Sequence, residues 1–174
     1  AGYQNYRSQL VCEILTGNPT ESFTSAAMQH GTDTEPQARA MYSMTEGHTI
    51  VEVGFVPHPT IPMSGASPDG LVGDDGLVEI KCPQPTEHIR VLTGGAIKRN
   101  YLLQMMWQME CTGRDWCDFV SFCPALPNEM QLHVQRVEKD AEQVGKILEA
   151  VKAFNVETDA LVKKLQSKYL EKAA

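Results

Sequence analysis

The sequence predicts an α/β domain with a mixed sheet of about five strands and helices packed on it. Two features carry that prediction. The segments HTIVEVGFV, WCDFVSF and MQLHVQRV are rich in β-branched and aromatic residues or alternate apolar with polar ones, as half-buried strands do. Around them lie stretches whose apolar residues recur every three or four positions, as in helices that rest one face on a core.

The elements follow in order. YRSQLVCEILTG places Leu10, Val11, Ile14 and Leu15 on one helical face and stops at Gly17, a residue that readily ends a helix. A second helical segment, SAAMQHGTDTEPQARAMYSMTEG, is expected to be interrupted at Gly31 and Pro36, with Pro36 in the first turn of a renewed helix and Glu35 at its start. His48 to Val56 reads as a strand bounded by Gly47 and Pro57, and PHPTIP as a loop. Residues 64 to 72 and 77 to 82 read as two short strands around the turn Gly73-Asp74-Asp75-Gly76. A short helix in PTEHIRVLTGG leads to a stronger one over about 98 to 111. Two strands separated by the turn-prone PALPN follow. Asp140 caps a last helix whose Val144, Ile147, Leu148, Val151 and Phe154 form a stripe, expected to resume at Leu161, Val162 and Leu165 after a break near Asn155.

Composition sets limits on function. With 174 residues, 42% hydrophobic and 21% charged, the chain suits one domain with a core, spanning residues 1–174, and does not suit a disordered polymer. No apolar run approaches the roughly 20 residues of a membrane span, and AGYQNYRSQ lacks the apolar stretch of a secretory signal, so the cytosol is the expected location and no membrane partner is expected. Five cysteines, at 12, 82, 111, 117 and 123, form no CxxC pair and are expected as reduced thiols in or near the core. The net charge of −7 provides no basic coat, so nucleic-acid binding would need a local basic patch.

The chemistry concentrates in SPDGLVGDDGLVEIKCP, residues 67 to 83. Side chains alternate along a strand, so Glu79 and Lys81 share one face while Ile80 and Cys82 take the other. The turn at 73 to 76 folds the preceding strand back and brings Asp69 within a position or two of lying opposite Ile80, which places its carboxylate near Glu79 if it faces that way. Two carboxylates held together are costly unless a cation or a proton lies between them. An oxygen-rich pair beside a lysine suits a hard divalent ion such as Mg²⁺, with Lys81 placed to hold a phosphate or orient a water. That combination favours phosphodiester hydrolysis. On spacing alone the pattern is permissive, because Asp-Gly turns and a surface Glu near a Lys are common in solvated hairpins.

In context, Asp69 and Glu79-Ile80-Lys81 resemble the PD-(D/E)xK nuclease signature, and the flanking residues resemble the phage lambda exonuclease and YqaJ viral recombinase family. The likeness runs from about residue 6 to residue 138. GTDTEPQARAMY resembles that family's helix with an active-site glutamate, and YLLQMMWQM its helix with a catalytic-site glutamine. The resemblance implies a restriction-endonuclease-like core. It implies Asp69 and Glu79 as metal ligands together with the Ile80 carbonyl, Glu35 as a further acid acting through water, Lys81 as the group that positions the attacking water, and Gln104 as its support. Gln108 shares the helical face of Gln104. Ser67 falls on a serine of the pocket for the 5′-terminal phosphate, to which His88 or Arg90 is a further candidate contributor. The family's N-terminal segment with an arginine and a Thr-Ala-Ser run has no counterpart before Ala1, and the sequence is expected to lack such a segment of a longer chain.

The activity implied is a Mg²⁺-dependent exonuclease, with two ions and Mn²⁺ as a substitute, that degrades one strand of linear double-stranded DNA from a 5′-phosphorylated end. It would release mononucleotides and leave a 3′ single-stranded tail for annealing-type recombination. The same resemblance implies a homotrimeric ring around DNA, a phage-type single-strand annealing protein as partner, and a phage- or prophage-encoded protein working in the cytoplasm of a bacterial host. Arg90, Lys98, Arg99 and Arg136 are candidates for the channel lining. Two alternatives compete: an endonuclease of the same superfold, and a catalytically silent scaffold that binds DNA or a recombination partner.

Overall fold

A computed structural model describes residues 2–20 and 25–170. The chain divides into two units, Thr24–Gly145 and a smaller one built from Ala1–Phe23 with Lys146–Ala174.

In the larger unit, helix α2 (Ala26–Glu46) starts where Ser25 accepts the Met28 N–H on its side chain and ends at Gly47, whose left-handed backbone returns its N–H to Ser43. The expected interruption at Gly31 and Pro36 does not occur, and the helix runs through both. Pro36 removes one helical N–H, a defect worth about 3 kcal/mol in an isolated helix. Ala38 and Tyr42, two and six residues further on, are wholly buried in the core, and their packing outweighs that loss.

The central sheet has the order β1 (Ile50–Val51), β4 (Gly70–Val72), β5 (Gly76–Lys81), β6 (Trp116–Phe122) and β7 (Leu132–Glu138), and only the β5–β6 pair is parallel. The parallel crossover is made by α3 (Pro85–Leu92) and α4 (Arg99–Thr112). The other two strands, β2 (Val56–Pro57) and β3 (Gly65–Ala66), pair with each other in a separate ribbon. The strand expected over 48 to 56 is thus split between two sheets. Val51 and Phe55 are exposed, so their β propensity reports no pleated, half-buried surface there. The strand expected over 64 to 72 is broken at Ser67-Pro68-Asp69, where Pro68 offers no N–H to a ladder.

The sheet separates two kinds of surface. Val72, Val78, Ile80, Val120 and Phe122 join Ala38 and Tyr42 of α2 in one buried cluster. Leu77, Glu79, Cys117, Phe119 and Ser121 occupy the alternate positions of β5 and β6 and are also buried. The second helical layer reaches these residues through Tyr101 stacked on Phe119, Gln108 bonded to Glu79 and His88 bonded to Ser121. At the β4–β5 turn, Gly73 has a positive φ of 56°, and Arg114 Nη1 donates to the carbonyls of Val72, Gly73 and Gly76.

In the smaller unit, α1 (Gly2–Thr16) ends at Gly17 as expected. Its Tyr3 and Tyr6 rings pack on Phe154, and Tyr3 and Arg7 bond Glu157 at 2.9 and 2.6 Å. Both partners belong to α5 (Ala141–Tyr169), which begins at the Asp140 cap and continues without the expected break near Asn155. Contacts on either side of Asn155 hold the helix together, and Asn is only a mild helix breaker. Cys111, Cys117 and Cys123 are buried, Cys82 is partly buried and Cys12 is exposed, all as free thiols. Among the described residues no helix is long and apolar enough to cross a membrane.

Candidate active site

The antiparallel register of the hairpin sets Gly70 opposite Val78, so Asp69 stands at the next rung, beside Glu79 and Ile80. Backbone pairing stops there. The carboxylate of Asp69 takes the place of a strand carbonyl, accepting the Ile80 N–H on Oδ2 at 2.6 Å. Glu79 is fully buried, its Oε2 accepts from Gln108 Nε2 at 2.7 Å, and its Oε1 is in ion-pair contact with Lys81 Nζ. Lys81 keeps a water-accessible side and lies over the Tyr101 ring, with Nζ 5.0 Å from the ring centroid. Asp69, Glu79 and Lys81 therefore converge at the end of β5, as the alternation of the strand requires.

Charge balance at this point is unusual. Burial, then the charge of Glu79, pushes the Asp69 carboxyl up to about 7, against the pull of the Ile80 N–H and Lys81, and Glu35 adds to the rise. Burial by itself would lower the Lys81 ammonium, but Glu79 and Asp69 outweigh it and leave its pKa raised, so the lysine is held charged. Glu35 projects from α2 near enough for its charge to be felt at both Asp69 and Cys82. Arg39, one turn along, pairs with Glu35 and also with Glu52 at 2.6 Å. Nothing in the local sequence marks Arg39 beyond its i, i+4 spacing from Glu35.

The other predicted residues are distributed unevenly. Gln104 and Gln108 lie on one side of α4, but Gln104 is exposed while Gln108 is buried against Glu79. Ser67 is exposed, two residues before Asp69. His88 is wholly buried, with Nδ1 bonded to Ser121 Oγ at 2.7 Å and Nε2 to the Met130 carbonyl at 2.9 Å. Both ring nitrogens are occupied, so His88 is a core residue here and does not reach a terminal phosphate. Arg90 binds Glu87 and the Ala96 carbonyl yet stays partly exposed. Of the other basic residues, Lys98 pairs with Glu87 at 3.0 Å, Arg136 is tied to Asp118, and Arg99 is exposed.

Among the described residues, no group of three or more His, Cys, Asp or Glu side chains gathers as a metal cage. Mg²⁺ does not need one, since it binds through one or two carboxylates and keeps several waters. Asp69 and Glu79 stand side by side at the end of β5, and burial together with the Glu79 charge raises the Asp69 carboxyl, a cost that a divalent ion would relieve. The donor set fits such an ion.

Comparison with known proteins shows the family and the fold. Residues 4–115 match the YqaJ-like viral recombinase domain. A comparison with curated proteins found no match. Among solved structures, the chain is similar to LHK-Exo in complex with dAMP, at 48% identity over 100% of this chain and 88% of that one, with a TM-score of 0.94. It is likewise similar to the alkaline exonuclease LHK-Exo from Laribacter hongkongensis, at 47% identity over 98% of this chain and 86% of that one, with a TM-score of 0.92. A phage-related exonuclease from Haemophilus somnus 129PT shares the fold, at 16% identity over 92% of this chain and 82% of that one, with a TM-score of 0.72. The acidic hairpin, the helices around it and these likenesses agree: the chain belongs to the family of the YqaJ-like viral recombinase domain, with phage-type alkaline exonucleases among its relatives.

Proposed function

We propose that the protein is a Mg²⁺-dependent exonuclease that digests one strand of linear duplex DNA in the 5′-to-3′ direction from a phosphorylated end, with Mn²⁺ as a substitute metal. The observation that carries this reading is the convergence of Asp69, Glu79 and Lys81 at the end of one strand, with the Asp69 carboxyl raised by burial and then by the charge of Glu79. The relative LHK-Exo, nearly half identical, is an alkaline exonuclease that has been crystallised with dAMP.

Each residue has a task. Asp69, Glu79 and the Ile80 carbonyl hold the metal, which when bound supplies Lewis-acid charge and an acidified water. Glu35 acts on the same site through water. Lys81, kept protonated, donates from Nζ toward the phosphate and orients the water, while Tyr101 limits where Nζ can go. Gln104, on the open side of α4, supports the lysine and the water. The exposed hydroxyl of Ser67 and the partly exposed guanidinium of Arg90 receive the 5′ phosphate. The family likeness supports a homotrimeric ring, a single-strand annealing partner and a 3′ tail as the product used in recombination.

The test uses linear duplexes that differ only in 5′ phosphorylation, a closed circle, and Mg²⁺. The expected result is loss of the 5′-phosphorylated strand, release of mononucleotides and an untouched circle. Nicking of the circle would assign an endonuclease instead, and inertness toward every duplex would leave a DNA-binding scaffold.

A further inference from the structure

We infer that Gln108 is a positioning residue for the acid at Glu79, an inference that rests on the proposed metal-dependent function. Gln108 and Glu79 are 1% and 0% exposed, and they meet at 2.7 Å from α4 to β5, 29 positions apart in sequence. An ionised carboxylate only accepts hydrogen bonds, so the Gln108 amide must turn its NH₂ group toward it. Its other end bears the cost of that choice, because Gln108 Oε1 is buried with no hydrogen-bond partner among the described residues. A glutamine kept only to satisfy the core would be expected to use both ends of its amide. Here one end has no partner among the described residues and the other fixes a carboxylate.

The consequence is directional. With Oε2 held by Gln108, the Glu79 carboxylate keeps its plane and presents Oε1 to Lys81. Gln104, one turn earlier on α4, is exposed and makes no such contact among the described hydrogen bonds. The two glutamines thus divide the work, Gln104 on the open side and Gln108 behind the acid. Hydrogen-bond partners of metal-binding carboxylates typically change metal affinity about 10- to 100-fold when removed.

The test is Mn²⁺ binding by calorimetry on the full chain without DNA, alongside thermal unfolding and the metal dependence of DNA cleavage. Gln108→Met keeps the length of the side chain and removes the donor. Met105→Ala, a cavity in the same buried layer, serves as the control for loss of packing. The expected result is Mn²⁺ affinity at least 10-fold weaker in Gln108→Met and unchanged in Met105→Ala, whatever each does to the unfolding temperature. Cleavage by Gln108→Met should return to within a few-fold of normal when Mn²⁺ is raised in proportion. Normal Mn²⁺ affinity in Gln108→Met, or weakening that tracks the stability loss in both variants, would overturn the inference. Asp69→Asn separates the two levels: if it binds Mn²⁺ as the unaltered protein does, the proposed metal site fails and not only the role of Gln108.

Discussion

Glu79 and Asp118 are both buried carboxylates on adjacent strands, one facing each side of the sheet, and the protein treats them in opposite ways. Asp118 is closed. Its Oδ1 accepts from Arg136 Nε at 2.9 Å, and its Oδ2 from Arg136 Nη2 at 3.0 Å and Tyr42 Oη at 2.7 Å. The guanidinium carbon lies over Trp116, 3.5 Å from the ring centroid. Glu79 shares its surroundings with a second acid, Asp69, and with the field of Glu35, while the nearby cations are Lys81 and an Arg39 already divided between Glu35 and Glu52. Burial alone therefore does not mark function. What separates the two acids is the charge that the protein leaves uncompensated.

The largest effect should come from opening this contrast at the site. Asp69→Ala or Lys81→Ala should lower DNA cleavage by at least about 10³-fold with the far-ultraviolet dichroism of a folded protein. Near-normal rates in Lys81→Ala would remove the assigned chemistry.

Next comes pH. The Asp69 carboxyl titrates at about 7 when folded against 3.8 as its ordinary value, so the folded chain binds the proton more tightly. The stability this contributes is full below about pH 4 and is lost as pH rises through 7, by at most about 4 kcal/mol. Metal-free protein should unfold more easily at pH 8 than at pH 5, Asp69→Asn should flatten that slope, and Mg²⁺ should restore stability at pH 8. A flat profile in the unaltered protein would show that the two acids do not compete.

At the closed acid the signs reverse. Asp118→Ala should cost the fold about 3 kcal/mol in urea titration, since it strands Arg136 and the Tyr42 hydroxyl, while cleavage per folded molecule stays within a few-fold. The smallest pair tests the two candidate phosphate ligands. His88→Ala should lose about 2 kcal/mol of stability and leave the preference for 5′-phosphorylated ends unchanged. Arg90→Ala should cost under about 1 kcal/mol and weaken that preference, as read from KM on phosphorylated and unphosphorylated duplexes.

The same contrast explains what was legible in the sequence. Strand alternation and a short turn were enough to place Asp69, Glu79 and Lys81 together, because those relations are local. Helical spacing also put Gln104 and Gln108 on one side of α4, yet periodicity does not say how deep each turn sits, and only the sheet beneath decides that Gln108 reaches Glu79. His88 could be read as a phosphate-pocket candidate because the partners that bury it, Ser121 and Met130, are 33 and 42 positions away. Pro36 looked like a helix boundary for the same reason, since the core that overrides it comes from β4, β5 and β6. The β-rich run at 48 to 56 became short pieces in two sheets because a strand lasts only as long as its partner, and β4 has three residues.

The Asp69–Ile80 hydrogen bond makes one backbone amide an indicator of the state of the site. Anything that draws on the Asp69 carboxylate, whether proton, metal or substitution, alters the acceptor of the Ile80 N–H. Its amide resonance and exchange rate should therefore move with metal loading before any DNA is present, so the occupancy of the site can be followed by nuclear magnetic resonance without a substrate or an added label.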